Sequence, residues 1–248
     1  MMKAEYSMQA LKAGIIAFLM GFSPAVAQDA PAAPPVGQPP VVVELYTSQG
    51  CSSCPPADAL LQQLAGRPEV IALALHVDYW DYIGWEDSFA RPEFTQRQRR
   101  YARAAGASAI YTPQFVVSGQ QHVIGARPME LMDGIRAAAA AMEPMGLTIE
   151  RQGDGVRIRA SALPQPRPLV VQLVRYMPRE TVDVLRGENA GLALSYANIV
   201  TDWTAVAEWD GAAPLDIEVE APGDAPLVVL VQDAGQGRIC AAARLLPG

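Results

Sequence analysis

Cysteine is scarce in this chain: three residues in 248, at Cys51, Cys54 and Cys240. A chain of this length buries a core of its own and needs no disulfide framework. A bond between Cys51 and Cys54 would close a ring too short to restrict the unfolded chain much, so it is a poor stabiliser. That argument favours chemistry over structure for the pair. Lysine is scarcer still, confined to Lys3 and Lys12, so every basic residue after residue 27 is Arg. Asp and Glu outnumber Lys and Arg by 26 to 19, and no basic run or basic–aromatic stripe occurs. Nucleic acid is therefore not an expected partner. No apolar run reaches the roughly 20 residues that span a bilayer. Histidine occurs only twice, at His76 and His122.

The N-terminus reads as a targeting segment. Lys12 precedes the apolar stretch Ala13 to Phe22, and Ser23-Pro24-Ala25-Val26-Ala27 follows as a small-x-small cleavage site. This predicts a signal peptide, residues 1–27, cut after Ala27, and hence a periplasmic or secreted protein. Met8 is an alternative start. No cysteine sits at the cleavage point, which argues against a lipid anchor. Residues 28–40 are rich in Pro and Ala and predict an extended tether without a core.

From Val41 the pattern alternates. Val41 to Tyr46 predicts a buried strand. Ala57 to Ala65 predicts a helix, with Leu60, Leu61 and Leu64 on one face and Gly66 as its stop. Val70 to Val77 is a continuous apolar run that predicts a central parallel strand. An aromatic and acidic loop, Asp78 to Asp87, leads to a helix over Ser88–Ala105. Two strands around Ser118-Gly119-Gln120 form a hairpin, and an Ala-rich helix spans Ala126–Met142. The order β-α-β-α-β-β-α predicts an α/β domain over residues 41–145, with Cys51 at the carboxyl end of its strand and Asp78 beside it. After Gly146 only short strand patterns remain, predicting a second, mostly-β, sandwich-like domain over residues 146–248.

Cys51 is the expected nucleophile, because a thiolate at a helix start faces unpaired backbone N–H groups and the positive end of the dipole. Cys54 is placed to resolve a mixed disulfide. Pro55 and Pro56 oppose this in part, since they imply that the helix begins near Cys54 rather than Cys51. Pro113 precedes a strand at the place where a thioredoxin architecture puts a cis-proline, which would leave the backbone at Thr112 open to an extended peptide.

Glu44 inside the first strand is either a raised-pKa proton acceptor for Cys54 or a carboxylate that is paired with an arginine or points to solvent. Asp78 carries the same two readings. Trp80, Tyr82 and Trp85 either line a substrate groove or form the core of their loop. His76 and His122 could complete a metal site with the two cysteines, but two core histidines fit their strand positions better, so no metal is expected. Cys240 reads as a buried, inert thiol.

Val43-Glu44-Leu45-Tyr46-Thr47-Ser48-Gln49-Gly50-Cys51-Ser52-Ser53-Cys54-Pro55-Pro56-Ala57-Asp58 resembles the opening motif of a bacterial family of exported thioredoxin-like proteins without an assigned function. The later blocks His76-Val77-Asp78-Tyr79-Trp80-Asp81 with Gly84-Trp85, Thr95-Gln96-Arg97-Gln98 with Tyr101, Tyr111-Thr112-Pro113-Gln114, and Arg186-Gly187-Glu188-Asn189 are similar to that family too. Cys240 is not part of the likeness. The resemblance implies the fold more strongly than the reaction. The resulting expectation is a thiol-disulfide oxidoreductase without a cofactor, acting on protein or small-molecule thiols and disulfides. The alternative is a metal- or protein-binding module of the same fold without redox turnover.

Overall fold

The computed structural model describes Met1 and residues 39–247. The expected signal segment and most of the expected tether lie outside the described residues. The elements are β1 (Val41–Thr47), α1 (Pro55–Ala65), β2 (Val70–His76), α2 (Pro92–Ala104), β3 (Gln114–Val117), β4 (Gln121–Ile124) and α3 (Pro128–Ala141). They continue as β5 (Thr148–Gln152), β6 (Gly155–Ala160), β7 (Leu169–Asp183), β8 (Ala193–Trp209), β9 (Leu215–Glu220), β10 (Leu227–Asp233) and β11 (Ile239–Leu245).

The architecture is mixed α/β. Eight strands form one sheet in the order β11-β10-β7-β8-β2-β1-β3-β4, and β5-β6-β9 form a smaller one. β1 lies parallel to β2 and antiparallel to β3, with Thr47 opposite His76 and Tyr46 opposite Gln114. Strand alternation divides the core, because successive side chains point to opposite faces. Val41, Val43 and Leu45 pack with Ala57, Leu61 and Leu64 of α1 and with Leu131 and Ile135 of α3. Val42 and Tyr46 pack on the other face with Phe94 and Tyr101 of α2. Among the described residues no helix is long and apolar enough to cross a membrane.

The pattern after Gly146 predicts a separate sandwich, and the structure differs. β8 joins β2 in parallel through Ala74 and Ile199, so the later strands extend the same sheet. Val174, Val228 and Leu230 share the α2 core with Val42 and Leu73. The sheet curls until the Ile239 N–H donates to the Ser118 carbonyl at 2.9 Å, between β11 and the β3–β4 turn. Gly119 permits this approach: its φ is +74°, and a Cβ there would meet the Gly237 carbonyl at 2.5 Å. β7 also runs unbroken through Pro178, joining two stretches, Leu169 to Tyr176 and Thr181 to Leu185, that read as separate short strands in sequence. Proline is tolerated where a ladder is irregular. Opposite it, Asn198 adopts a φ of +50° and its side-chain amide donates to the Ala72 carbonyl at 2.8 Å.

The α2 face holds a buried charge pair. Arg97 is 2% exposed and donates from Nε to Glu44 Oε2 at 2.8 Å and from Nη2 to Oε1 at 3.0 Å. Tyr46 and Tyr101 donate to the same carboxylate at 2.9 and 2.6 Å. Gln172 of β7 and Gln232 of β10 accept from the guanidinium, and the Trp203 ring lies 3.7 Å from its Cζ. Burial first, and then the Glu44 charge, push the Tyr46 phenol well above its usual range. Replacing Arg97 by Met would leave the Glu44 carboxylate buried without its counter-ion, with only the Tyr46 and Tyr101 hydroxyls as donors, a loss of about 3–5 kcal/mol. We expect R97M to lower the urea midpoint accordingly, and E44Q/R97M to recover part of that loss.

Candidate functional site

β1 ends at Thr47 and the turn that follows carries Cys51 and Cys54, joined as a disulfide with a Cα–Cα separation of 5.4 Å. α1 starts at Pro55, next to Cys54 as the two prolines imply, but Cys54, its N-cap, is itself in the helical conformation that a following proline disfavours. The first N–H groups of a helix are its free donors. Here Pro55 and Pro56 have none, the Cys54 N–H donates to the Cys51 carbonyl at 3.1 Å, and the Ala57 N–H to the Cys54 carbonyl at 2.8 Å. The amides at the helix start are thus either absent or bonded within the turn, and none donates to Cys51 Sγ. Both cysteines are buried: Cys51 is 1% exposed and Cys54 0%.

The cover comes from 138 residues away. The Asn189 side-chain amide, in the β7–β8 connection, donates to the Cys51 carbonyl at 3.0 Å and to the Gln49 carbonyl at 2.9 Å. The Ser52 N–H donates to Glu188 Oε2 at 3.3 Å. Gly187, with φ +77°, lies so close to Trp85 that a Cβ would come within 3.3 Å of the Trp85 Cβ. Trp85 in turn donates from its indole to Gln49 Oε1 at 2.8 Å. Arg186-Gly187-Glu188-Asn189 is thus part of the cysteine turn's surroundings. The sequence marks the block but not its place.

Pro113 is buried at the start of β3, next to the residue that pairs with Tyr46, and the Thr112–Pro113 bond is cis. The Trp80 indole donates to Thr112 Oγ1 at 2.7 Å, and the Trp80 Cβ lies against Gly50. Trp80 therefore bridges the cysteine turn and the proline turn. Trp85 is similarly pinned, whereas Tyr82 is 82% exposed. Asp78 accepts from Thr95 Oγ1 at 2.5 Å and is not paired with an arginine. Glu44 takes the arginine-paired alternative. It faces α2 with Tyr46, away from α1 and Cys54, and its acceptor sites are filled by Arg97, Tyr46 and Tyr101.

The two histidines are not brought together. His122 on β4 approaches Gln114 at 3.3 Å, and burial lowers its pKa. His76 is fully buried at the end of β2, with Nδ1 2.7 Å from Asp87 Oδ2. Its ring stands edge-on to Phe89 and Tyr196, at 5.2 and 4.7 Å between centroids. Among the described residues no group of three or more His, Cys, Asp or Glu side chains has the geometry of a metal site. Cys240 is buried and unpaired with another cysteine, with Arg167 Nη2 3.2 Å from its sulfur; burial raises its pKa.

Sequence reasoning missed Asp58. It is 5% exposed on α1, four residues after Cys54, and neither carboxylate oxygen has a hydrogen-bond partner. Burial raises its pKa from 3.8 to about 7, outweighing the lowering effects of the His76 charge and of the neighbouring Thr47 hydroxyl, which lies outside hydrogen-bonding geometry. The available signal was an acid at helical i+4 spacing from the second cysteine.

The chain belongs to the family described as "Protein of unknown function (DUF1223)", which matches residues 42–232. It is similar to a protein of Agrobacterium tumefaciens whose X-ray structure was a structural-genomics target. The two are 35% identical over 84% of this chain and 94% of that one, with a TM-score of 0.71. No curated protein matches the chain.

Two measurements check this geometry. Asp58 holds its proton to about pH 7 when folded but only to about 3.8 when unfolded, so folding takes up a proton between those values. Stability from this group is complete below pH 4 and lost as pH rises through 7, on the order of 4 kcal/mol for about three pKa units. Urea titrations from pH 4 to 8 are expected to show D58N gaining on the wild type as pH rises, then running parallel above pH 8. Asn189→Ala removes two hydrogen bonds over the cysteine turn and strands the Gln49 carbonyl, while the Cys51 carbonyl keeps the Cys54 N–H, costing about 1–3 kcal/mol. Reduction of the disulfide by dithiothreitol should accelerate severalfold in that variant.

Proposed function

We propose that this chain is an exported, thioredoxin-like thiol-disulfide oxidoreductase. In this reading Cys51 exchanges with a protein or small-molecule disulfide or dithiol, and Cys54 resolves the mixed disulfide. The observation that carries the reading is the Cys51–Cys54 bond on the turn after β1, beside the Thr112–Pro113 turn that leads into β3 and that Trp80 bridges to it. The element order β1-α1-β2-α2-β3-β4-α3, with β1 central between a parallel and an antiparallel neighbour, supports a thioredoxin-like unit within the larger sheet. Export rests on the N-terminal segment alone, and an oxidising compartment is where such a pair would persist as a disulfide. No cofactor is required, because thiol-disulfide exchange moves electrons between sulfur atoms directly.

Burial of both sulfurs sets the condition for this chemistry. A partner must reach Cys51 in line with the disulfide, so the Glu188–Asn189 connection has to lift from the turn. Thr112 and Trp80 then border the opened face, where an extended segment of the partner would lie. A second reading, a binding module of the same fold without turnover, is favoured by the same burial. A Cys54→Ser variant separates the two. With the resolving thiol gone, a partner caught on Cys51 should persist as a mixed disulfide, visible as a reducible band shift on a non-reducing gel, and should vanish in Cys51→Ser/Cys54→Ser. Absence of any such adduct across glutathione buffers of graded potential favours the binding module.

A further inference from the structure

Four elements direct polar atoms into the space under the cysteine turn, on the α1 face of the sheet. Thr47 and His76 are paired across β1 and β2, at the end of the rows in which Leu45 and Ala74 pack against α1. Asp58 comes from α1 and Tyr196 from β8, with the Tyr196 ring against His76. Thr47 Oγ1, both Asp58 oxygens, His76 Nε2 and the Tyr196 hydroxyl are all buried without a hydrogen-bond partner. Buried polar groups are ordinarily bonded, and an unpaired carboxylate is the most costly of these to keep. The arrangement therefore calls for a reason beyond stability.

His76 sharpens the point. Asp87 Oδ2 can only accept, so Nδ1 donates to it, and Asp87 is fixed by the N–H groups of Gln49 and Phe89 at 2.7 and 2.9 Å. His76 Nε2 faces the same space without a hydrogen-bond partner. Cys54 lies one helical turn before Asp58, with the Asp58 N–H donating to its carbonyl at 3.1 Å. Side chains at i and i+4 are neighbours on a helix face. Glu44, the other buried acid near the turn, is committed to Arg97 on the opposite face.

We propose that Asp58 is the proton acceptor for Cys54. This rests on the redox reading above and assigns a residue to its second step. After Cys51 has formed a mixed disulfide with a partner sulfur, the Asp58 carboxylate takes the proton from the Cys54 thiol. The Cys54 thiolate attacks the Cys51 sulfur; the Cys51–partner bond breaks and the Cys51–Cys54 bond forms. The partner leaves as a thiolate carrying the electron pair and is protonated by solvent. In reverse, a partner thiolate attacks Cys51 and the departing Cys54 thiolate takes the proton back from Asp58. The charged and titratable groups facing Asp58 are His76 and, behind it, Asp87, with the Tyr196 hydroxyl from β8 and Cys54 on its own helix. A carboxyl that ionises near pH 7 suits a proton exchanged with a thiol at neutral pH.

The reduced full-length protein, mixed with excess aryl disulfide whose released thiolate is coloured, separates the steps. The first thiolate reports attack by Cys51 and the second reports ring closure by Cys54. The variant Cys51→Ser/Cys54→Ser measures what Cys240 adds. In the wild type, closure is expected to speed up with pH and level off above about 7. In Asp58→Asn it should be at least tenfold slower at pH 7.5 and keep climbing about tenfold per pH unit, following the Cys54 thiolate itself. The first phase should be unchanged. A second phase identical in rate and pH profile in the two proteins overturns the assignment of Asp58 while leaving the redox reading intact. A wild-type profile that climbs without levelling does the same and needs no variant. No cysteine-dependent release from the wild type overturns the redox reading and this assignment with it.

Discussion

The buried pair of Glu44 and Arg97 is the constraint on which the rest of the structure hangs. A guanidinium and a carboxylate removed from water are costly unless their hydrogen-bonding capacity is filled. Here Tyr46, Tyr101, Gln172 and Gln232 fill it, so β1, α2, β7 and β10 are tied at one point. That point sits where strands from the two halves of the chain converge on α2. It helps explain why α2, a polar helix by composition, is held inside a curled sheet, and why the later strands continue the first sheet rather than forming their own.

The cysteine turn inherits its position from this frame. β1, anchored by Glu44 three residues before its end, delivers residues 48–54 to the top of the sheet between the aromatic loop and the Thr112–Pro113 turn. The β7–β8 ribbon is long enough to reach back over the turn and cover it. The result is a disulfide held between two different environments. On the outside are exposed Ser52 and Ser53 and a hydrogen-bonded cover; beneath are Thr47, Asp58, His76 and Tyr196 with unpaired polar atoms. Cover and polar floor have opposite energetic signs: the first protects the bond, and the second keeps polar atoms poised at a cost in stability.

The local elements were legible because their physical signals are local. Val41 to Tyr46 and Val70 to Val77 carry unbroken apolar runs, and the paired prolines after Cys54 set the helix start one residue later, as their missing N–H groups require. Pro113 was legible through its place in the element order. Glu44 was legible as an unusual residue but not in its role, because strand alternation alone does not say which face meets Arg97, 53 residues on. The continuity of β7 was not legible for a related reason: a proline within a run reads as a strand end, and the strand that pairs on both sides of Pro178 lies about 20 residues on.

By itself, then, the sequence determined the strand–turn–helix unit around Cys51 and Cys54, the alternating first half and the β-rich second half. Each of these follows from hydrophobic period, proline placement and turn residues within a short window. Only the tertiary structure decided that the two halves share one sheet, that Asn189 closes over Cys51, and that Asp58 rather than Glu44 lies on the Cys54 side without a partner. Those outcomes depend on which buried polar groups find partners across distant segments, and no short window of sequence contains both members of such a pair.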